Sequence, residues 1–283
     1  MGVAMTLLPA PPDSGIVFRR TDVESDQCDI AATYDNVCDT RMCTRIRNAS
    51  GVEVGTIEHL MAALAGVGID NVIVQLDGAE VPVLDGSAAP FVFLIECAGV
   101  ATQDVPRGAI EVLKPVSVTD GTRSASLSPG RESSLHLEIV FDHSLIGCQA
   151  YRVVLEKDVF KREVASARTF GFLCDVQDLK ARGLARGGSL ANAVVVDGNK
   201  VVNREGLRFA DEFVRHKALD SIGDMYLAGA PLLGHYHGIC TGHGLNQKLL
   251  SAMFADPTSW RPVHFDEADA EPEWPQREVA ALA

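Results

Sequence analysis

The residues best suited to chemistry lie in the segment Asp211 to Asp224, Asp-Glu-Phe-Val-Arg-His-Lys-Ala-Leu-Asp-Ser-Ile-Gly-Asp. On a helix, His216 and Asp220 are four residues apart and share a face, with Asp224 one turn further along the same stripe. An imidazole and a carboxylate at this spacing suit two positions of a tetrahedral zinc ion. A His–Asp surface pair has the same spacing, so the pattern alone does not choose. A second group is Glu58-His59, followed directly by Leu60, Met61, Ala62, Ala63 and Leu64. A charged pair at the head of so apolar a run faces the interior, which is costly unless a metal or partner compensates. An N-terminal Glu favoured by the helix dipole beside a half-buried His fits equally well.

A third group is Thr241-Gly-His-Gly-Leu-Asn246, a histidine between two glycines just ahead of a helix. The glycines permit a tight turn and close approach, and His243 could donate a proton there or simply serve the turn. His235 and His237 would share one face of a strand, but no third ligand is evident, so they read as structural. The glycines from Gly183 to Gly188 lack the Gly-Lys-Ser/Thr ending of a phosphate-binding loop. Asp85-Gly86-Ser87 reads as a turn leading into a helix.

The elements that must position these groups are legible in outline. Gly15–Arg20 and Val52–Thr56 read as strands, and Thr56 as the N-cap of a helix over 57–65 that ends at Gly66 and Gly68. Asn71–Leu76 reads as a strand, and 88–98 as a helix with Phe91, Leu94 and Ile95 on its apolar stripe. The pattern lapses around 101–108, which places a boundary between an N-terminal unit, 1–105, and a C-terminal unit, 106–283. The second unit restarts with strands: 110–119 and 122–127 flank the hairpin signal Asp120-Gly121, and 135–141 alternates. A helix over 175–182, a hairpin over 193–202, a long helix over 209–227 and a last one over 245–254 follow. Strands followed by helices in each half predict an α+β fold, two sheets packed against helices with the site between them.

Composition narrows the class. The 283 residues carry 25 Lys and Arg against 38 Asp and Glu, a net charge of −13, with no basic run. Wrapping a nucleic-acid backbone is therefore excluded as the working reading. The longest uncharged stretch, 225–247, holds three histidines, a proline and five glycines, so a membrane-spanning helix is excluded too. Seven scattered cysteines without a CxxC pair fit reduced thiols in a cytoplasmic protein. The acidic tail after Phe265 reads as a solvated terminus.

Taken together, Thr56-Ile-Glu-His-Leu-Met-Ala-Ala-Leu-Ala-Gly66, Val83-Leu-Asp-Gly-Ser-Ala-Ala-Pro-Phe91, Ala167-Arg-Thr-Phe-Gly-Phe172, His216-Lys-Ala-Leu-Asp220 and Gly242-His-Gly-Leu-Asn246 resemble one family. They are similar to the UDP-3-O-acyl-N-acetylglucosamine deacetylases, zinc amidases of bacterial lipid A synthesis, in the same order along the chain. The resemblance implies that His59, His216 and Asp220 bind Zn2+, with Fe2+ an alternative because ligand type is not decisive. It implies Glu58 as general base, His243 as the protonated partner held by Asp224, and Thr169 as a donor to the carbonyl oxygen of the tetrahedral intermediate. Lys217 would face the polar part of the substrate, and Phe141 would stack on uracil. Phe170 and Gly188 join the substrate-binding set, and 172–202 would be an insert shaping an acyl-chain passage.

Family members begin with a further strand and a Gly-Val-Gly-Leu-His-Thr-Gly-like segment, which this chain does not show; the expectation is an absent N-terminal strand. The activity implied is hydrolysis of the N-acetyl group of a UDP-linked acylated glucosamine. The alternatives are a non-catalytic sugar-nucleotide binder or a zinc amidase with another substrate. Because the net charge opposes an anionic substrate, attraction would be local, from the metal, Lys217, His243 and Arg168.

Overall fold

The computed structural model describes residues 2–24, 27–175 and 187–264. The expected helix over 175–182 and the acidic tail after Phe265 therefore lie almost wholly outside the described residues.

Two sheets and a central helix pair make up the frame. The first sheet has the order β1-β7-β2-β3, from Met5–Pro9 (β1), Ile16–Arg20 (β2), Asp29–Ala31 (β3) and Val72–Leu76 (β7). β2 runs parallel to β7 and the other pairs are antiparallel. Phe18, Val74 and Leu76 point into the core and are fully buried, the alternation expected of a sheet with one covered face. Val37–Asp39 (β4), Arg45–Arg47 (β5) and Glu53–Val54 (β6) form a small antiparallel sheet ahead of the first helix.

The second sheet has the order β12-β11-β16-β10-β9, from Val116–Asp120 (β9), Arg123–Pro129 (β10), Ser133–Val140 (β11), Cys148–Val154 (β12) and Leu232–Ile239 (β16). Gly108–Val112 (β8) joins the other end of β16 and pairs with Trp260–His264 (β17). The expected hairpin at Asp120-Gly121 is present, with Gly121 at φ 61°. The expected strand over 110–119 instead breaks into β8 and β9, which belong to different parts of the sheet. Leu135, Leu137, Ile139 and Tyr236 line its buried face. Phe170–Phe172 (β13), Val194–Asp197 (β14) and Lys200–Val201 (β15) make a three-stranded sheet, the last two as the expected hairpin.

The helices are Glu58–Val67 (α1), Ala89–Ala98 (α2), Lys157–Glu163 (α3), Glu212–Met225 (α4) and His243–Ala255 (α5). Mixed strands and helices in this arrangement are the α+β fold the sequence predicts. α1 packs directly on α4, α4 on β11 and β12, and α5 on β9 and β10. Two local expectations fail. Thr56 has φ 57° and does not cap α1, whose flanking residue is Ile57; the left-handed turn at Thr56 serves to swing the chain from β6 into the helix. Leu94 is 54% exposed and Val92 takes its place on the buried stripe of α2, where Phe91, Val92 and Ile95 share the covered face. No helix among the described residues is long and apolar enough to cross a membrane.

Candidate active site

α4 is buried on nearly every face although its sequence is not hydrophobic; only Arg215 and Lys217 escape burial. A helix of that kind must find a partner for each charge it takes inside. Glu212 pairs with Arg168 at 2.9 Å, and both are almost fully buried. The remaining buried titratable residues, His216, Asp220 and Asp224, face the first turn of α1. That approach depends on Gly223: a Cβ there would stand 2.1 Å from the carbonyl oxygen of Glu58. At the far end of α1, Gly68 adopts φ 76°, and the amide of Ile69 returns to the carbonyl of Leu64, closing the helix.

His59, His216 and Asp220 come together from the two helices. Asp220 Oδ1 lies 3.3 Å from His216 Nε2 and 3.6 Å from His59 Nε2, and the two imidazoles meet edge to face at 5.0 Å. His216 Nδ1 is 3.1 Å from the carbonyl oxygen of Ala167. A carbonyl only accepts, so Nδ1 carries the hydrogen and Nε2 presents its lone pair to the site. Burial pushes the His216 imidazole down to about 3, beyond the pull of Asp220, so it is neutral at pH 7. Burial works to raise Asp220, but His216 and Lys217 overcome it and the carboxylate is held well below its ordinary range.

This set fits a metal ion on its own chemistry. Asp220 Oδ1 is a buried acceptor without a hydrogen-bond partner, and the Nε2 atoms of both imidazoles face it. Tetrahedral coordination at bond lengths of about 2.0–2.2 Å puts ligand atoms about 3.3–3.6 Å apart, and the two observed separations fall there. Two His and one carboxylate also leave an open position, as catalytic sites do.

Beside the cluster stand Glu58 and His243. His243 is the first residue of α5, not a loop residue ahead of it, and its Nδ1 lies 2.8 Å from Asp224 Oδ2 while Nε2 faces Glu58 Oε1 at 3.9 Å. A carboxylate accepts only, so His243 donates from Nδ1. Burial opposes charge on His243, but Asp224, then Glu58 and Asp220, prevail and raise it to about 10. Glu58 is itself raised by burial, against the lowering effect of His243 and His59. The backbone amide of Thr44 donates to Glu58 Oε2 at 3.0 Å, and the Thr44 hydroxyl donates to Asp224 Oδ1 at 2.6 Å. Asn246 donates to Asp224 Oδ2 at 2.8 Å and accepts from Tyr236 and Thr241. Thr44 and Asn246 went unassigned by sequence reasoning; Asn246 was within reach, since it stands one helical turn after His243 on the face toward α4.

The other expected residues are distributed around this centre. Thr169 follows the Ala167–Arg168 pair; its amide donates to Gly86 and its carbonyl accepts from Val194, so its backbone is fixed between the turn at Gly86 and β14. Gly86 has φ 82°, and a Cβ there would press on the carbonyl of Asn192 at 2.1 Å. Lys217 donates to Asp220 Oδ2 at 2.8 Å and passes 5.7 Å from the Phe170 ring. With Ile139, Val140, Phe141, Cys240 and Thr241 it lines a cavity of about 220 Å³. Phe141 and Phe170 are edge-on neighbours at 5.8 Å, and Phe170 also meets Phe213. Gly188 is exposed in the turn held by Asn192, adjoining residues outside the described set. Arg168, expected to attract substrate, is instead buried and held by ion pairs to the buried Glu212 and the exposed Glu205, because its guanidinium neutralises the N-terminal carboxylate of α4.

A family model of UDP-3-O-acyl N-acetylglycosamine deacetylases matches residues 1–255. This chain belongs to that deacetylase family. Among relatives named UDP-3-O-acyl-N-acetylglucosamine deacetylase, that of Phenylobacterium zucineum is 50% identical over 263 residues, covering 93% of this chain and 90% of the relative. That of Myxococcus xanthus is 51% identical over 92% of this chain and 82% of its own length. That of Acidithiobacillus ferrooxidans is 49% identical over 95% and 88%. As a member of the deacetylase family the chain is an amide-bond hydrolase, and the buried His59, His216 and Asp220 cluster is its candidate metal centre.

Proposed function

We propose that this protein hydrolyses the N-acetyl group of a UDP-3-O-acyl-N-acetylglucosamine in the cytoplasm, releasing acetate, with His59, His216 and Asp220 holding Zn2+. The observation that carries the reading is the placing of Glu58 and His243 side by side, 3.9 Å apart, against the three-ligand cluster. Zinc rather than Fe2+ is the favoured metal, and residues 1–105 and 106–283 are read as the two domains that meet at α1 and α4.

When bound, the metal acidifies water and polarises the amide carbonyl. Glu58 takes the proton of the attacking water at a carboxylate oxygen, its basicity strengthened by burial. Thr169 donates to the developing oxyanion, a kind of interaction worth about 3–4 kcal/mol per donor. His243 delivers its Nε2 proton to the departing amine, which is a poor leaving group until protonated; Asp224 keeps the imidazole charged for that task. Lys217, Phe141, Phe170 and Gly188 belong to the substrate-binding surface, Phe141 and Lys217 through the cavity they share.

Acetate release from the UDP-linked substrate is the test, run before and after chelation and again after zinc is restored. Loss and recovery of release supports the reading. Zinc-stimulated turnover of a UDP-free amide alone, or binding without release, overturns it.

A further inference from the structure

The outer face of the second sheet carries a second cluster of metal-binding character, remote in the chain from α1 and α4. His136 and Glu138 are two apart on β11 and therefore point to the same face. His237 on β16 stands directly beside His136 in the parallel register of these two strands. The imidazoles of His136 and His237 stack with centroids 4.7 Å apart and planes within 7°. His237 Nε2 lies 3.0 Å from Glu138 Oε1, and His136 Nε2 lies 3.9 Å from the same oxygen. One ligand atom from each of the three lies within 4.8 Å of the others.

We propose that His136, Glu138 and His237 form a surface site for a divalent transition cation of the zinc class. The two measured separations bracket the roughly 3.3–3.6 Å between ligand atoms of a tetrahedral ion, so small side-chain adjustments complete the set. All three side chains are partly exposed, at 29%, 42% and 41%, which leaves room for water to fill the fourth position. The ligand types, two neutral imidazoles and one carboxylate, select zinc, nickel or copper over calcium or magnesium. His235 is outside the set, because its Nδ1 is held 2.6 Å from Ser134 Oγ.

One neighbour opposes the cation. Arg152 on β12 approaches His136 Nδ1 at 3.5 Å. Coordination through Nε2 moves the hydrogen of His136 to Nδ1, so the guanidinium must turn away as the ion enters. A bound ion would join β11 to β16, a parallel pair whose strands lie about a hundred residues apart in the chain.

The test is equilibrium dialysis of the full chain against micromolar Zn2+, with bound metal counted per chain. His136→Ala/His237→Ala is expected to bind one equivalent fewer than the unaltered protein while releasing acetate at the same rate. The difference between the two proteins reads this site alone, whatever His59, His216 and Asp220 bind. Arg152→Gln should tighten the same equivalent several-fold by removing the opposing charge. Equal metal content in the unaltered and double-variant proteins, or no response to Arg152→Gln, overturns the proposal.

Discussion

Gly223 of α4 and Glu58 of α1 touch through their backbones: a methyl group on Gly223 would stand 2.1 Å from the Glu58 carbonyl oxygen and 3.1 Å from the Ala62 nitrogen. The position of Glu58 and His59 relative to His216 and Asp220 is thus set by a contact that admits no side chain. Gly223→Ala must drive the helices apart. Overpacking of this kind costs about 1–3 kcal/mol or more, and the ligand atoms would separate with the helices. The urea midpoint should fall and the bound metal should be lost, whereas unchanged metal content would show that the contact does not position the site.

Metal removal should destabilise the folded chain, because the cluster leaves Asp220 Oδ1 buried without a partner. A ligand present at a hundredfold its dissociation constant contributes about 2.7 kcal/mol. Scanning calorimetry should show a lower melting temperature after chelation, restored by zinc. His59→Ala should melt at the same temperature with or without chelator, at chelator and zinc levels where the surface site is empty.

His243→Gln keeps a hydrogen-bonding side chain but not a proton to give. General acid catalysis contributes about 10²–10⁴-fold, so kcat should fall by that order with metal content unchanged. Loss of the metal instead would move His243 from proton donor to structural support for the ligands.

The pH dependence follows from the same residue. His243 holds its proton up to about pH 10 in the folded chain but only to about 6.5 when unfolded. Folding thus takes up a proton between those values, and the stability it contributes is complete below pH 6.5 and lost as pH rises toward 10. Urea unfolding of the metal-free chain should weaken across that window, and His243→Gln should flatten the slope. In the active enzyme the basic limb of kcat/KM should lie above the ordinary imidazole range and move down in Asp224→Asn.

Arg168→Met should act on stability and not on substrate affinity. It leaves Glu212 buried without its counter-charge, held only by the backbone amides of residues 168 and 208, and breaking a buried pair costs about 3–5 kcal/mol. The denaturation midpoint should drop sharply, while KM measured on the folded protein at low temperature stays near that of the parent. A selective rise in KM would return Arg168 to the substrate surface.

The parts of the site visible in the sequence were those separated by a helical turn or less. His216 and Asp220 declare themselves by spacing, and Glu58-His59 by standing ahead of an apolar run. Residues whose roles arise only across the fold stayed silent. Thr44 reaches Asp224 over 180 positions, and nothing local marks it. His237 read as structural because its partners His136 and Glu138 sit on a strand that becomes its neighbour only through a parallel crossover. Arg168 looked like a free cation since its burial depends on Glu212 and Glu205 arriving from 37 to 44 residues away. The α+β class was legible from alternation and helical periods; Thr56 was misjudged because a Thr before a helix resembles a cap whatever its φ turns out to be.

Asp224 accepts from Thr44, His243 and Asn246 at once, which fills three of the roughly four lone-pair positions of a carboxylate. It anchors His243 at Nδ1 and leaves Nε2 as the ring nitrogen turned toward Glu58. In the proposed reaction the imidazole therefore has a single doorway, Nε2, used both to discharge its proton and to regain one. Recharging the acid then waits for the product amine to clear that doorway, so that proton resupply and product departure become one event in the turnover clock.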